Sequence, residues 1–233
     1  MATQLDLQEQ EQLDALKAFW NKQGSLIAWA LILVLGGFAA WNGWQYWQRE
    51  QASKAGALFE ELDRAALVGD ADKVGRVFAD LKERNPGTAY AQQGGLLAAK
   101  VQVAAGKLDA AKASLTWVAE HAMEDEARQL ARLRLAGVQA DSQQLPEALK
   151  TLDAVKGEGF DALAADRRGD VLMAQGKKAE ALTAYQAAWK GMGEKVEYRR
   201  LVDAKLTALG AAPAGAAAAP ASAAASSALG AGK

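Results

Sequence analysis

Few residues in this chain could carry out chemistry. His121 is the single histidine, and the sequence has no cysteine. Without thiolates or a second imidazole, the usual thiolate and multi-histidine metal sites cannot be assembled, and disulfides are excluded. No phosphate-binding loop, nucleophile elbow or metal-binding helix motif occurs. The sequence therefore predicts no catalytic residue, no metal site and no cofactor, and we interpret the protein as a non-enzyme.

Three groups of polar residues could still serve a reaction or a ligand. His121 stands at the end of a predicted helix, where it would cap carbonyl groups or, in the alternative, act as a base. The acidic run at 124–126 suits the start of a helix, whose dipole favours negative charge, although it could also bind a cation weakly. Charges of alternating sign at 166–170 predict a solvated helix face with local ion pairs. A hydrolase with an unrecognised site would need such groups clustered in a cleft.

Charge and composition narrow the function classes further. The chain carries 27 Lys and Arg against 28 Asp and Glu, a net charge of −1. A nucleic-acid binder needs a basic surface to neutralise phosphates, and no basic excess is available. Ala, Leu, Lys, Glu and Gln are abundant, which favours helix. We therefore set nucleic acid aside and expect an α-helical protein.

An apolar segment near the start predicts a membrane span. From Gln23 to Gln48, 26 consecutive residues carry no charge, and about 20 apolar residues suffice to cross a bilayer. Trp and Tyr, which prefer the headgroup level, lie towards both ends of the run. We predict a transmembrane helix at 24–47 after a cytoplasmic leader at 1–23. A buried core helix and a cleaved signal peptide are the alternatives, and the long acidic leader disfavours the second.

The flanking charges leave the orientation open. Lys17 and Lys22 precede the apolar run, and Arg49 and Lys54 follow it closely. The positive-inside rule therefore favours neither side. A short acidic leader before an uncleaved anchor commonly stays in the cytoplasm, but a domain that faces the cytoplasm stays an alternative on these residues alone.

Four segments of the remaining chain repeat one pattern, in which a short turn is followed by a small residue and then a bulky residue four positions later. The small residues are Val74, Ala111, Ala148 and Ala181, spaced 37, 37 and 33 residues apart. A tetratricopeptide unit comprises about 34 residues in two antiparallel helices. A small residue early in the second helix lets the two helices approach closely, and the bulky residue packs into the next unit. The pattern predicts four helical hairpins.

Glycine and proline support these hairpins. Gly69, Gly106 and Gly176 occupy the predicted turns, where a positive φ is often needed. Pro146 suits the first turn of a helix, where its missing N–H costs little. Gly169 stands at the position of close approach in the first helix of the fourth unit. The earlier units have Leu62, Ala99 and Ala136 at that position.

We therefore predict an all-α protein, with one N-terminal transmembrane helix followed by a tetratricopeptide-like α-solenoid of about four helical hairpins at 48–210. An amphipathic helix at 197–209 would cover the apolar face of the last hairpin. The tail at 211–233 has one bulky apolar residue, Leu229, and is predicted to be disordered. An ordinary helical bundle without a groove is the alternative.

Several segments resemble the YfgM family, the ancillary subunits of the bacterial SecYEG translocon. The resemblance rests on the leader LQEQEQLDALKAFWNKQG, the span after it, and the runs QREQASKAGALFEEL and FADLKERNPGTAYAQQGGLLAAK. It implies a single-span protein of the bacterial inner membrane, with a cytoplasmic N-terminus and a periplasmic C-terminal domain. It also implies association with SecYEG and with the periplasmic chaperone PpiD, and a part in passing newly exported proteins to periplasmic chaperones. A tetratricopeptide adaptor in another envelope or cell-division assembly is the competing interpretation.

The repeat pattern also predicts where a protein partner would bind. Stacked hairpins place their first helices along a concave surface that can hold an extended or helical peptide. Ordinary helix packing and solvation is the alternative for each candidate. The predicted groove residues are Leu96, Lys100, Val103, Leu133, Arg134, Asp166, Arg167, Asp170 and Met173.

Overall fold

The computed structural model describes residues 7–193 and 197–211, and the regular structure in these ranges is helical throughout. The all-α prediction is thus confirmed. From residue 212 onward the predicted disordered tail lies outside the described residues, as do the first six residues of the predicted leader. The helices are α1 (Leu7–Leu67), α2 (Ala71–Arg84), α3 (Ala89–Ala104), α4 (Leu108–His121), α5 (Asp125–Asp141), α6 (Leu145–Asp153), α7 (Phe160–Ala174), α8 (Lys178–Gly191) and α9 (Arg199–Ala208).

The chain divides into two compact units between Lys54 and Ala55, and α1 contributes residues to both. In the first unit, the described large apolar side chains from Leu26 to Trp47 are all more than half exposed. Taken singly, none of the described helices meets the criteria of length and hydropathy for a membrane span. Two parts of α1, Gln12–Leu26 and Ala28–Leu67, differ in direction by 44° and meet these criteria together. The span at 24–47 stays a prediction.

The second unit contains the predicted hairpins. The end of α1 packs against α2, α3 against α4, α5 against α6, and α7 against α8. The four small residues of the repeat, Val74, Ala111, Ala148 and Ala181, have no exposed surface. The bulky residues four positions later are also buried, and they are Phe78, Leu115, Leu152 and Tyr185. The tetratricopeptide-like solenoid is confirmed by this packing.

The turns inside the four hairpins share one hydrogen-bonding scheme. In the second hairpin, Gly106 donates its N–H to the carbonyl of Val103 at 2.9 Å, and Lys107 donates to the carbonyl of Gln102 at 2.8 Å. This pair of bonds satisfies the last carbonyls of the first helix and requires a left-handed residue after it. The third hairpin places a glutamine there. The left-handed residues are Gly69 (φ 72°), Gly106 (φ 73°), Gln143 (φ 61°) and Gly176 (φ 77°).

Glycine permits close helix contact in the core. A Cβ atom at Gly169 would overlap the ring of Tyr185, so α7 and α8 can pack as they do only around glycine. On α3 the same role falls to Gly95, where a Cβ atom would overlap Val118 and lie 2.9 Å from Cζ of Phe78. Gly95 lies one turn before the position that the repeat pattern indicates. In the second hairpin the two helices therefore also approach closely, but at Gly95, one turn before Ala99.

The last helix covers the apolar face of the fourth hairpin. Val202 and Leu206 of α9 are buried and share a core with Tyr185 and Ala188 of α8. Burial of such side chains is favourable by about 25 cal/mol for each Å² of apolar surface removed from water. The predicted capping helix at 197–209 is confirmed, with observed bounds of Arg199–Ala208.

Replacing Gln143 with glycine tests the conformation of the third turn. A left-handed backbone costs a residue with a Cβ atom roughly 1 kcal/mol or more, and the Gln143 side chain is exposed. We expect Gln143→Gly to raise the free energy of unfolding by about 0.5–1 kcal/mol. The reverse change at the fourth turn, Gly176→Gln, should lower it by a similar amount. Unfolding of the full-length protein, followed by far-UV circular dichroism, measures both, and a Gln143→Gly protein no more stable than its parent would contradict the expectation.

Candidate functional site

A cleft of about 620 Å³ opens on the side of the second unit that is formed by the first helices of the hairpins. Most of its wall comes from α3, α5 and α7, while α4 adds one residue and the segment before α9 adds another. Clefts of this size are typical of sites that enclose a small ligand or a short peptide segment. The lining residues are Ala99, Lys100, Val103, Leu115, Leu130, Leu133, Arg134, Gly137, Val138, Asp141, Leu163, Arg167 and Tyr198.

Helical periodicity explains which side chains reach the cleft. On α3, Lys100 and Val103 are three residues apart and lie on the same face. The lining residues of α5 recur at spacings of three and four, which places them along a single stripe. They are Leu130, Leu133, Arg134, Gly137, Val138 and Asp141. The cleft is therefore formed by the faces that the first helices leave uncovered when the hairpins stack.

The charges along the cleft are predominantly positive. Among the described residues, Lys100, Arg134 and Arg167 line it, against the one carboxylate of Asp141. Within the part of the chain that the structure describes, neither Lys100 nor Arg134 forms an ion pair. Arg167 forms an ion pair with Asp170, in which Nη1 lies 3.7 Å from Oδ2. The apolar wall is thus bordered by cations, two of which have no acidic partner in the described ranges.

The structure brings five of the nine predicted groove residues to the cleft and places four elsewhere. Leu96 packs against the core around α4, and Met173 packs against the core around α8. Asp166 and Asp170 contact Lys205 of α9. Binding of a peptide at the remaining five stays a prediction. These five are Lys100, Val103, Leu133, Arg134 and Arg167.

A network of polar side chains attaches α9 to α7 and α8. Lys205 Nζ lies 2.8 and 3.0 Å from the two carboxylate oxygens of Asp166 and 2.6 Å from Oδ1 of Asp170. The Tyr198 hydroxyl donates to Asp166 Oδ2 at 2.7 Å, and the Tyr185 hydroxyl donates to Asp170 Oδ1 at 2.9 Å. Because Tyr198 also lines the cleft, the network holds one of the cleft's walls in place.

The prediction of a solvated face with local ion pairs at 166–170 is wrong for Asp166 and correct for Arg167, whereas Asp170 also binds Lys205 and Arg168 pairs with the distant Asp153. The Asp166 side chain has no exposed surface, whereas Arg167 and Asp170 form the expected local ion pair. The cause lies far along the chain, because Tyr198 and Lys205 follow Asp166 by 32 and 39 residues. A search for charge patterns along one helix does not detect partners at that separation.

The phenols of the network ionise with difficulty. Burial, together with the hydrogen bond to Asp166, raises the pKa of Tyr198 to about 12. Burial and the hydrogen bond to Asp170 raise the pKa of Tyr185 above its usual value. In both cases the neutral phenol is favoured because a phenolate would lose solvation and face a carboxylate. The network therefore requires both hydroxyls to keep their protons.

The other candidate polar groups have structural surroundings. His121 Nδ1 lies 3.0 Å from the carbonyl oxygen of Trp117, and the two rings stack at 5.2 Å. In the acidic run, Asp125 begins α5 and contacts Arg128, which confirms the predicted helix start. Across the described residues, no three His, Asp or Glu side chains are grouped so that they could hold a metal ion.

Comparison of the chain with known proteins identifies its family and several relatives. Residues 17–211 match the family described as a tetratricopeptide repeat-like domain. The chain is similar to the ancillary SecYEG translocon subunit of Haemophilus influenzae, at 32% identity over 78% of this chain and 89% of that protein. It is also similar to the proteins of the same name from Escherichia coli, at 31% identity over 78% and 87%, and from Neisseria gonorrhoeae, at 29% identity over 87% and 98%.

Replacing Lys205 with methionine tests the network. Lys205→Met keeps most of the side-chain length but leaves the carboxylate of Asp166 buried without its cation, so we expect the free energy of unfolding to fall by about 3 kcal/mol. Lys107→Met is the matched control. It removes an ion pair with Asp72 whose side chains are 41% and 72% exposed, and the loss of stability should be much smaller because solvent screens an exposed pair. Equal losses in the two variants, measured by thermal unfolding, would show that the network does not attach α9.

The raised pKa values also predict a dependence of stability on alkaline pH. The phenol of Tyr198 has a pKa of about 12 in the folded protein and about 10 in an unfolded chain. Its contribution to stability is therefore complete below pH ~10 and is lost as the pH rises to ~12. We expect the melting temperature to fall over this interval, and Tyr198→Phe to reduce the slope because phenylalanine does not ionise. Identical slopes in the two proteins would count against the expectation.

Proposed function

The chain belongs to the family of ancillary SecYEG translocon subunits, and from this premise we propose that it is a membrane-anchored scaffold that binds proteins during export. The proposed partner is the SecYEG translocon, which the names of its relatives specify. The proposed role is non-enzymatic. It consists in holding segments of newly exported chains and passing them to periplasmic chaperones, with PpiD as a further partner.

The cleft is the observation that supports the binding role. It combines an apolar wall, cations at its border and a length of several helical turns along α5, all formed by the side of the solenoid that neighbouring hairpins leave uncovered. Tetratricopeptide-like arrays use such surfaces to hold peptides in extended or helical form. An enzyme would instead need converging polar groups with matched acid and base roles.

The exposed apolar side chains of α1 support the membrane anchor. Of the described side chains, twelve large apolar or aromatic ones from Leu26 to Trp47 are each at least 53% exposed. A continuous apolar surface of this kind is unfavourable in water and is typical of contact with lipid or with another protein. We propose that 24–47 is the span, that the N-terminus is cytoplasmic and that the solenoid is periplasmic.

Anchoring would compensate for weak binding. Tethering a domain near the exit of a channel raises the local concentration of its ligand into the millimolar range, so a modest affinity suffices for capture. Modest affinity also allows rapid release, which a transfer step requires because the dissociation rate sets how soon the next chaperone can bind. The cleft is of a size that suits such transient binding.

Paired reporter fusions at Gly210 test the topology. We expect alkaline phosphatase, which is active outside the cytoplasm, to be active there, and a cytoplasmic fluorescent reporter to be dark. The opposite result would overturn the periplasmic proposal and favour a tetratricopeptide adaptor that faces the cytoplasm, an orientation that the balanced charges around the apolar run also permit.

Photo-crosslinking in the same cells tests the binding role. A photoreactive residue in place of Arg134, inside the cleft, should crosslink to stalled exported chains and to the translocon beside them. A photoreactive residue in place of Lys178, which is exposed and outside the cleft lining, is the control. Crosslinks to a cell-division or other envelope protein alone would favour that second assembly and contradict the translocon role.

A further inference from the structure

We propose that the cleft selects short unfolded segments that carry both acidic and bulky apolar side chains. This inference rests on the proposed function, since it specifies the kind of segment that the same cleft would take. The occupant is a segment of a passing, non-native polypeptide, and its recognition depends on charge as well as on apolar contact. The argument has three steps, which concern charge, apolar surface and size.

The first step is that cations outnumber carboxylates among the described residues of the cleft, where Lys100, Arg134 and Arg167 line the surface with one acid, Asp141. Lys100 and Arg134 have no ion-pair partner in the described ranges. Their positive potential is available to an acidic ligand.

The second step is that apolar surface lies directly beside these cations. Val103 is 37% exposed and stands one turn from Lys100 on α3. Leu130 lies one turn before Arg134 on α5, and it is only partly buried, as is Leu163 of α7. A ligand with acidic groups alone would leave this apolar wall uncovered. One with apolar groups alone would cover the cations without pairing them, which is unfavourable.

The third step concerns the size of the occupant. The cleft has a volume of about 620 Å³, within the range of about 300–1,000 Å³ that encloses a single small ligand. A folded partner that binds stably covers about 800 Å² of each surface, and a cleft of this size does not supply such a face. A segment of a few residues fits the space. The chain's own residues 212–233 lack any Asp or Glu and hold one leucine, so they match the cleft poorly.

Fluorescence anisotropy with designed peptides tests the inference. Three peptides of about ten residues keep the same leucines and carry Glu, Lys or Ser at the positions between them. Each bears an uncharged fluorophore and is titrated with the full-length protein in a non-ionic detergent. We expect the Glu peptide to bind about tenfold more tightly than the Lys peptide at low salt, and the difference to shrink as the Debye length falls with added salt.

Charge-reversal variants locate the effect. Lys100→Glu with Arg134→Glu should abolish or invert the preference. The matched control is Lys150→Glu with Lys178→Glu, which changes the net charge equally at exposed positions outside the cleft lining, and it should leave the preference intact. Equal helicity by circular dichroism ensures that each variant is folded. Loss of the preference in the control pair would assign it to overall charge and overturn the inference.

The remaining outcomes separate this inference from the proposed function. Equal binding of all three peptides would overturn the charge selectivity while leaving the cleft as a binding site. No binding of any peptide would remove the cleft from the proposed function altogether. If deletion of residues 212–233 raised the affinity for all three peptides alike by tenfold or more, the tail would be the occupant and the inference would be wrong.

Discussion

Close approach of paired helices is the constraint on which the rest of the second unit depends. Each second helix carries a small side chain near its start, and Val74, Ala111, Ala148 and Ala181 all lie without exposed surface against the first helix. The spacing of the helices is fixed there, because interiors are packed too densely to admit extra atoms without displacement. The bulky residue one turn later then reaches the next hairpin, and the first helices align beside one another. The cleft follows from this stacking, and of its lining residues Tyr198 alone lies outside the helices.

Charge serves two different purposes in the same fold. Ion pairs such as Lys107 with Asp72 lie largely in solvent and contribute little to stability. Asp166, in contrast, is fully buried and depends on Lys205 and Tyr198 for its hydrogen bonds. Apolar contact between α9 and the last hairpin is not directional, so it alone would allow several docking positions. A buried carboxylate with fixed donors favours a single position, and Tyr198 thereby reaches the cleft in a defined place.

The sequence predicts the parts of this fold that depend on local spacing. The four small residues, the bulky residues after them, the left-handed turn glycines and Pro146 all follow from the helical period and from what glycine and proline permit. Two features escape such reasoning because they depend on contacts between distant segments. Gly95 takes over the close approach in the second hairpin one turn early, and Asp166 is covered by side chains more than thirty residues away. Five of the nine predicted groove residues line the cleft. Asp166 and Asp170 do not, because both contact Lys205 of α9, a distant partner that local spacing does not reveal.

The buried carboxylate of Asp166 also bears on how the number of hairpins could change during evolution. A duplication of the segment from α7 to α8 would produce two copies of Asp166, but only the copy beside α9 could meet Lys205 and Tyr198. The inner copy would be covered by the next hairpin and left as an unpaired buried charge, which proteins tolerate poorly. Duplication of α3 to α4 would bring no such group with it, since the buried polar pair of Gln102 and Ser114 is satisfied within that hairpin. A buried charge therefore ties the fourth hairpin to its place beside α9, whereas the second hairpin carries no such charge.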